Sequence, residues 1–226
     1  PPRSTLSSSS AASDVYKRQG ATSTLLAQAV LLTDPRVPVR VATSLVYGIL
    51  SDTLNLFRFN REEMIRIYLK ILPFCDLRAL SKIQNPSKSR HVFVTLARGI
   101  QNAVVKRKLI VSHLGDVATP DLVSQVADFL LSYNRMIWCL CTGRFRGKLY
   151  VSLRITNRRT SAAQILRDIF DNPRQAGGHD IIAGGSFRVG SNAARETWEE
   201  AEKELVDRLE GRLRIKMEGD FYKPFR

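Results

Sequence analysis

Ala176-Gly177-Gly178-His179-Asp180-Ile181-Ile182-Ala183-Gly184-Gly185-Ser186-Phe187 is the stretch on which the reading of this chain turns. It reads as a glycine-rich turn carrying one histidine and running into an apolar strand. Glycines beside a polar residue let the backbone reach φ > 0 and approach a ligand closely. Consecutive N–H groups in such a turn converge on an anion. Taken alone the signal is weak, because glycine pairs around strands more often mark ordinary turns or bulges. Two upstream segments add weight. Tyr150-Val151-Ser152-Leu153-Arg154 alternates like a strand and ends in an arginine, whose planar fork matches phosphate oxygens. Gly48-Ile49-Leu50-Ser51-Asp52-Thr53 places a lone carboxylate at the end of an apolar run, an oxygen donor suited to a hard divalent cation. Each also has an ordinary reading: an arginine on the solvent face of an edge strand, a turn histidine without a ligand, and a helix-terminal Asp held by turn N–H groups.

Composition narrows the class. Of 226 residues, 44% are apolar and 25% charged, the balance of a globular protein long enough for one large domain or two small ones. No apolar run approaches the roughly 20 residues of a membrane helix, so a soluble cytoplasmic protein without a membrane partner is expected. Lys and Arg number 35 against 21 Asp and Glu, a formal net charge of +14. Such basicity favours polyanions, nucleic acid or nucleotides first; a basic proteome or a missing acidic segment gives the same sign. Cys75, Cys139 and Cys141 show no C-x-x-C spacing and no zinc-spaced histidines, and read as reduced core thiols. In a strand, Cys139 and Cys141 share one face.

Along the chain, apolar periodicity predicts helices over 20–32, 39–50, 61–72 and 77–83, then a connecting helix over 89–105. From there the pattern mixes strands and helices. Strands are expected at 108–113, 136–142, 148–154 and 181–187, the middle two joined by a glycine-bounded loop from Gly143 to Gly147. Helices are expected at 120–133, with Leu122, Val126, Phe129 and Leu130 inward, at 161–170 and from about 194 to 209. The mixture implies a compact α/β domain with a mixed sheet. His91 and His113 lack a partnered motif and read as structural.

In this order, and with Gly20-Ala21-Thr22-Ser23-Thr24 before them, these segments resemble the DHH superfamily of phosphoesterases. The form resembled is the two-domain, oligoribonuclease-like one with a DHH-associated C-terminal domain, and the likeness spans about residues 20 to 209. The resemblance implies an α/β fold in parts: 20–86 as the C-terminal helical part of a DHH phosphoesterase domain, 87–106 as a linker helix, and 107–226 as a mixed-sheet DHH-associated substrate-binding domain. It implies that Gly177, Gly178, His179, Gly184 and Arg154 bind the phosphate and nucleotide of the substrate. It makes Asp52 one ligand of a pair of catalytic Mn²⁺ ions, with hydrolysis in a cleft between the domains. Ile155 departs from the family, which usually has Ser there.

A larger departure lies upstream. The family's D-x-D pair, a further aspartate and its Asp-His-His triplet precede the G-A-T-S-T helix, whereas only nineteen residues precede Gly20 here and none matches them. Segment 1–19, with its serine tract at Ser7 to Ser10, resembles translated sequencing-adapter sequence and is read as non-native or disordered. Two metal ions need several carboxylates and histidines, so the chain is expected to be an inactive fragment of a manganese-dependent phosphodiesterase or phosphatase. Its expected partners are short single-stranded RNA or DNA, or nucleotide phosphates. The alternatives are a noncatalytic nucleic-acid-binding module, or a phosphatase of adenosine bisphosphate or linear dinucleotides. Oligomeric state is not legible.

Overall fold

A computed structural model describes residues 22–33, 36–53, 56, 62–157, 160–215 and 219–225. Segment 1–19, Gly20, Ala21, Arg61 and the loop arginines Arg158 and Arg159 lie outside the described residues. The chain divides into two compact units, residues 1–87 and 88–226. No helix among the described residues is long and apolar enough to cross a membrane.

The first unit holds helices α1 (Thr22–Thr33), α2 (Val39–Asp52), α3 (Glu62–Ile71) and α4 (Leu77–Gln84). Met64, Ile67 and Ile71 form the buried stripe of α3, with Glu62 and Glu63 in its first turn and Lys70 in its last, each sign favoured by the helix dipole. Pro73 has no N–H to continue the α ladder, and the chain tightens into a 3₁₀ turn at Leu72–Phe74. Asp76 then caps α4 by accepting the N–H groups of Arg78 and Ala79. Gly48 is fixed by packing rather than by a turn: a Cβ there would lie 2.1 Å from Ser23 Oγ on α1. Ala27, Ala42, Val46, Ile49, Ile67, Ile71 and Leu80 make the core.

The second unit opens with α5 (Arg90–Asn102) and holds a six-stranded sheet in the order β1-β2-β3-β4-β6-β5. The strands are β1 (Val104–Lys106), β2 (Leu109–Asp116), β3 (Trp138–Phe145), β4 (Lys148–Ile155), β5 (Ala176–His179) and β6 (Ile182–Arg188). β2 and β3 are parallel and joined through α6 (Asp121–Leu131), while every other pair is antiparallel. The expected mixed α/β sheet is therefore present. Side chains alternate across it. Ile110, Leu114, Cys139 and Cys141 pack with α5 and α6 on one face. Val111, Leu140, Val151, Leu153 and Ala183 pack with α7 (Ala162–Ile169) and α8 (Arg195–Leu213) on the other. Ser161 caps α7 by accepting the N–H of Gln164. Beyond α8 the chain returns to the sheet edge, where Val105 and Tyr222 exchange backbone hydrogen bonds of 2.8 and 3.0 Å.

Several sequence expectations shift. The helix expected to run through 105 ends at Asn102, and the next three residues that pair form β1. It lies on the sheet of the second unit, where Gly99 lets it approach α6: a Cβ there would sit 2.5 Å from Val126 Cγ1. The loop expected from Gly143 to Gly147 shrinks to two residues, Arg146 (φ 47°) and Gly147 (φ 72°). Both take positive φ, as the twist of a two-residue hairpin requires. Gly143 is a strand residue, its Cβ position only 2.6 Å from Val123 Cγ2 beneath α6. Phe129 points outward at 49% exposure, while Leu122, Val126 and Leu130 are buried as expected.

Candidate anion-binding site

The glycine-rich stretch is a hairpin and not an extended turn. Ala176 to His179 form β5, Ile182 to Arg188 form β6, and only Asp180 and Ile181 lie between. Gly177 opposes Gly184 and Gly178 opposes Ala183, so the glycines belong to a ladder and do not form a loop of converging N–H groups. Gly178 is held to glycine by geometry, with φ 142° and a Cβ position 2.2 Å from Ile182 O. Gly177 has nothing within 4 Å of its Cβ position and Gly184 only Val151 O at 3.6 Å. At those two positions glycine leaves the floor bare.

Register brings the pieces together. On the α6 face, Tyr150 opposes Ser186. Next to them runs a row of Cys141, Ser152, Gly184 and Gly177, and then a row of Cys139, Arg154, Ile182 and His179. Helix α6 packs chiefly on β3 and β4. The result is an open trough of about 510 Å³, walled by Pro120, Asp121 and Ser124 and lined by Ser152, Arg154, Gly178, His179 and Gly184. All the residues expected to bind substrate thus lie on or beside one hairpin and the neighbouring strand.

Arg154 is 7% exposed on an interior strand, not on a solvent-facing edge. Its Nε donates to Asp128 Oδ1 at 2.5 Å, and its Nη1 to the carbonyls of Ala183 at 3.1 Å and Leu153 at 3.3 Å. Nη2 has no partner among the described residues. Ser152 Oγ is buried and also without a partner. An unpaired hydroxyl taken out of water costs about 1–3 kcal/mol. His179 stands exposed at the end of β5. Sequence reasoning missed Asp128 altogether. Ser152 was within reach of it, since strand alternation puts 150, 152 and 154 on one face.

The opposite face of the same sheet carries a closed polar network. Arg144 donates to Glu202 of α8 through Nη2 at 2.9 Å and Nε at 3.3 Å, and Thr142 donates to the same carboxylate at 3.3 Å. His113 Nδ1 lies 2.8 Å from Thr142 Oγ1. Burial holds the His113 imidazole below its ordinary pKa; Glu202 pulls the other way and Arg144 adds to the lowering. Lys106 Nζ lies 2.8 Å from Glu210 Oε1 in charge contact, without an aligned hydrogen bond at that oxygen. Beneath α6, Cys139 and Cys141 are free thiols 3.8 Å apart. The hydrogen bond between them, then burial, pushes the Cys139 thiol far up, which leaves it an inert core group.

Asp52, the expected metal ligand, is the exposed last residue of α2 in the first unit. Thr53 closes the helix behind it, its hydroxyl donating to Ile49 O at 2.6 Å and accepting the N–H of Leu56 at 3.1 Å. Among the described residues no group of three or more His, Cys, Asp or Glu side chains is placed to hold a metal ion. A dinuclear centre needs several such donors. The described residues do not make one, and no chemical step is assigned through it.

Residues 106–214 match the DHHA1 domain family. Protein MJ1633 of Methanocaldococcus jannaschii, described as uncharacterized, is 28% identical over 178 residues, covering 78% of this chain and 36% of the relative. An exopolyphosphatase-related protein from Bacteroides fragilis, known from its crystal structure, superposes with a TM-score of 0.64 at 16% identity. That match covers 83% of this chain and 56% of the other. The chain therefore spans about a third of the first relative and little more than half of the second. The second unit thus matches the DHHA1 domain family over residues 106–214, and the chain is similar in fold to the exopolyphosphatase-related protein.

Proposed function

We propose that this chain is the substrate-holding part of a phosphoesterase that acts on short oligonucleotides or nucleotides, and that its trough seats a phosphate of the substrate. One observation carries the reading: the buried Ser152 Oγ stands without a partner in an open trough that Arg154, held through Nε and Nη1, also lines. Native buried polar groups are nearly always paired, so an unpaired Ser152 hydroxyl in a trough shared with Arg154 is best explained by a ligand that pairs it. A phosphate oxygen accepts from both, and charge-assisted bonds of this kind are the strong ones. The bare backbone at Gly177 and Gly184 gives a flat, unobstructed surface for the sugar or base next to that phosphate. His179 at the rim supplies a further hydrogen-bond donor or stacking ring. The net charge of +14 draws polyanions from solution, with the salt dependence such attraction carries.

In this reading residues 20–86 are the last part of the DHH domain, 87–106 the linker and 107–226 the binding domain. Asp52 is the residue offered to a pair of Mn²⁺ ions, and hydrolysis is assigned to the longer protein, in the cytoplasm, so that this chain binds without cleaving. The test is calorimetric titration of the full chain with a 5′-phosphorylated diribonucleotide. Saturable 1:1 binding that weakens on the order of a hundredfold in Arg154→Ala, where a charge-assisted contact is lost, supports the proposal. No binding, or binding indifferent to Arg154, sinks it. Affinity that climbs steadily with RNA length, with no preference for a terminal phosphate, favours the noncatalytic nucleic-acid-binding module instead. Release of mononucleotide by this chain with Mn²⁺ contradicts the assignment of catalysis elsewhere.

A further inference from the structure

We propose that Asp128 is a positioning residue, which fixes the Arg154 guanidinium so that its Nη2 edge and Ser152 Oγ form one prebuilt seat for a phosphate. The inference rests on the reading of the trough as an anion site and adds the group that orients it. The Asp128–Arg154 pair is asymmetric: the carboxylate side chain is 60% exposed and the guanidinium side chain 9%. A surface carboxylate this well hydrated gains little from the contact, whereas the buried arginine gains an orientation.

That orientation is over-determined. Nε is tied to Asp128 on α6, and Nη1 to Ala183 O on β6 and Leu153 O on its own strand. The guanidinium is planar, so fixing two of its three nitrogens fixes the third. Helix α6 is itself anchored by Val123, Val126, Ala127 and Leu130 in the core, which makes the carboxylate a rigid post. Ser152, two residues back on the same face of β4, then stands beside the fixed fork with a hydroxyl that no protein group satisfies. A donor that is already aimed needs no reordering when the anion arrives, and such preorganisation is what misplacement by about 1 Å destroys.

Two roles for Asp128 make opposite forecasts. As a positioning group its removal weakens anion binding; as a mere neutraliser of Arg154 its removal strengthens it. The full chain is titrated with a 5′-phosphorylated diribonucleotide as wild type, Asp128→Ala, Asp128→Asn, Arg154→Ala and the Asp128→Ala/Arg154→Ala double variant. Asp128→Ala is expected to weaken binding by the folded protein on the order of tenfold, with a lowered melting midpoint because the buried guanidinium loses a partner. Asp128→Asn keeps an acceptor for Nε and is expected to retain most of the affinity. In the Arg154→Ala background, loss of Asp128 is expected to change nothing further. Tighter binding by Asp128→Ala, an unaltered affinity, or an equal loss in both backgrounds overturns the positioning role while leaving the anion site standing. Failure of the wild type to bind overturns the site and this inference with it.

Discussion

The two faces of the sheet in the second unit are built from alternate residues of the same strands, yet they treat polar groups in opposite ways. On the α8 face Arg144 and Thr142 close on Glu202, and Lys106 meets Glu210. On the α6 face, Arg154 is answered on two nitrogens and open on the third, and Ser152 is not answered at all. Burial alone does not separate the two, because Arg154, Ser152, Glu202 and Glu210 are all less than 9% exposed. What separates them is access: Arg144 and Lys106 sit against buried carboxylates, although Glu210 Oε1 lacks an aligned hydrogen bond, whereas Arg154 and Ser152 line an open trough. The paired set specifies how α8 docks, and the open one is where the proposed anion would sit.

The largest effect expected from this contrast is on the closed face. Glu202→Ala strands Arg144 and Thr142, and removing one partner of a buried pair costs about 3–5 kcal/mol. Thermal and urea denaturation should show that loss, while the affinity of the still-folded fraction for the diribonucleotide stays at the wild-type value. A specific loss of affinity in this variant breaks the division of labour between the faces. Gly178→Ala comes next. The added Cβ meets Ile182 O in a backbone that already needs φ 142°, a strain of about 1–3 kcal/mol. Both stability and binding should fall, because the β5–β6 hairpin carries His179.

Ser152→Ala sharpens the comparison most directly. It removes an unsatisfied buried hydroxyl, so stability should hold or rise by about 1 kcal/mol, while phosphate affinity drops. A destabilised Ser152→Ala protein shows instead that the hydroxyl is structurally paired. The smallest effect concerns His113. Its folded pKa is depressed by burial, so the unfolded chain takes up the proton first on acidification. The corresponding stability is present above the ordinary histidine pKa and is lost as pH falls through it toward the folded value. His113→Gln should flatten that part of the stability curve below about pH 6.5. A slope unchanged by the substitution assigns the acid sensitivity to another group.

What the sequence disclosed, and what it hid, follows from the range of the interactions. The helices were legible to within a few residues because stripes such as Met64, Ile67 and Ile71 repeat locally, and the mixed sheet because its strands alternate with helical segments. β1 was invisible: Val104-Val105-Lys106 continues a helical stripe, and only its partners at Leu109 and Val111 make it a strand. β5 was read as a loop because glycines carry no strand propensity of their own, and pairing with β6 overrides that. Of the site, Arg154, Gly177, Gly178, His179 and Gly184 were named from motif and order, and the register puts them on or beside one trough. Asp128 had no local sign, being one acidic residue on a helix flank. Its meaning comes from a strand 26 positions away.

One outer margin of the sheet is covered. β1 does not end the sheet bare, because the returning C-terminal segment bonds to it at Val105 and Tyr222, and Phe225 packs edge-on against Tyr133 with ring centroids 5.0 Å apart. An uncapped margin is a template on which foreign strands grow. Deleting 219–225 should therefore leave the trough intact and promote self-association.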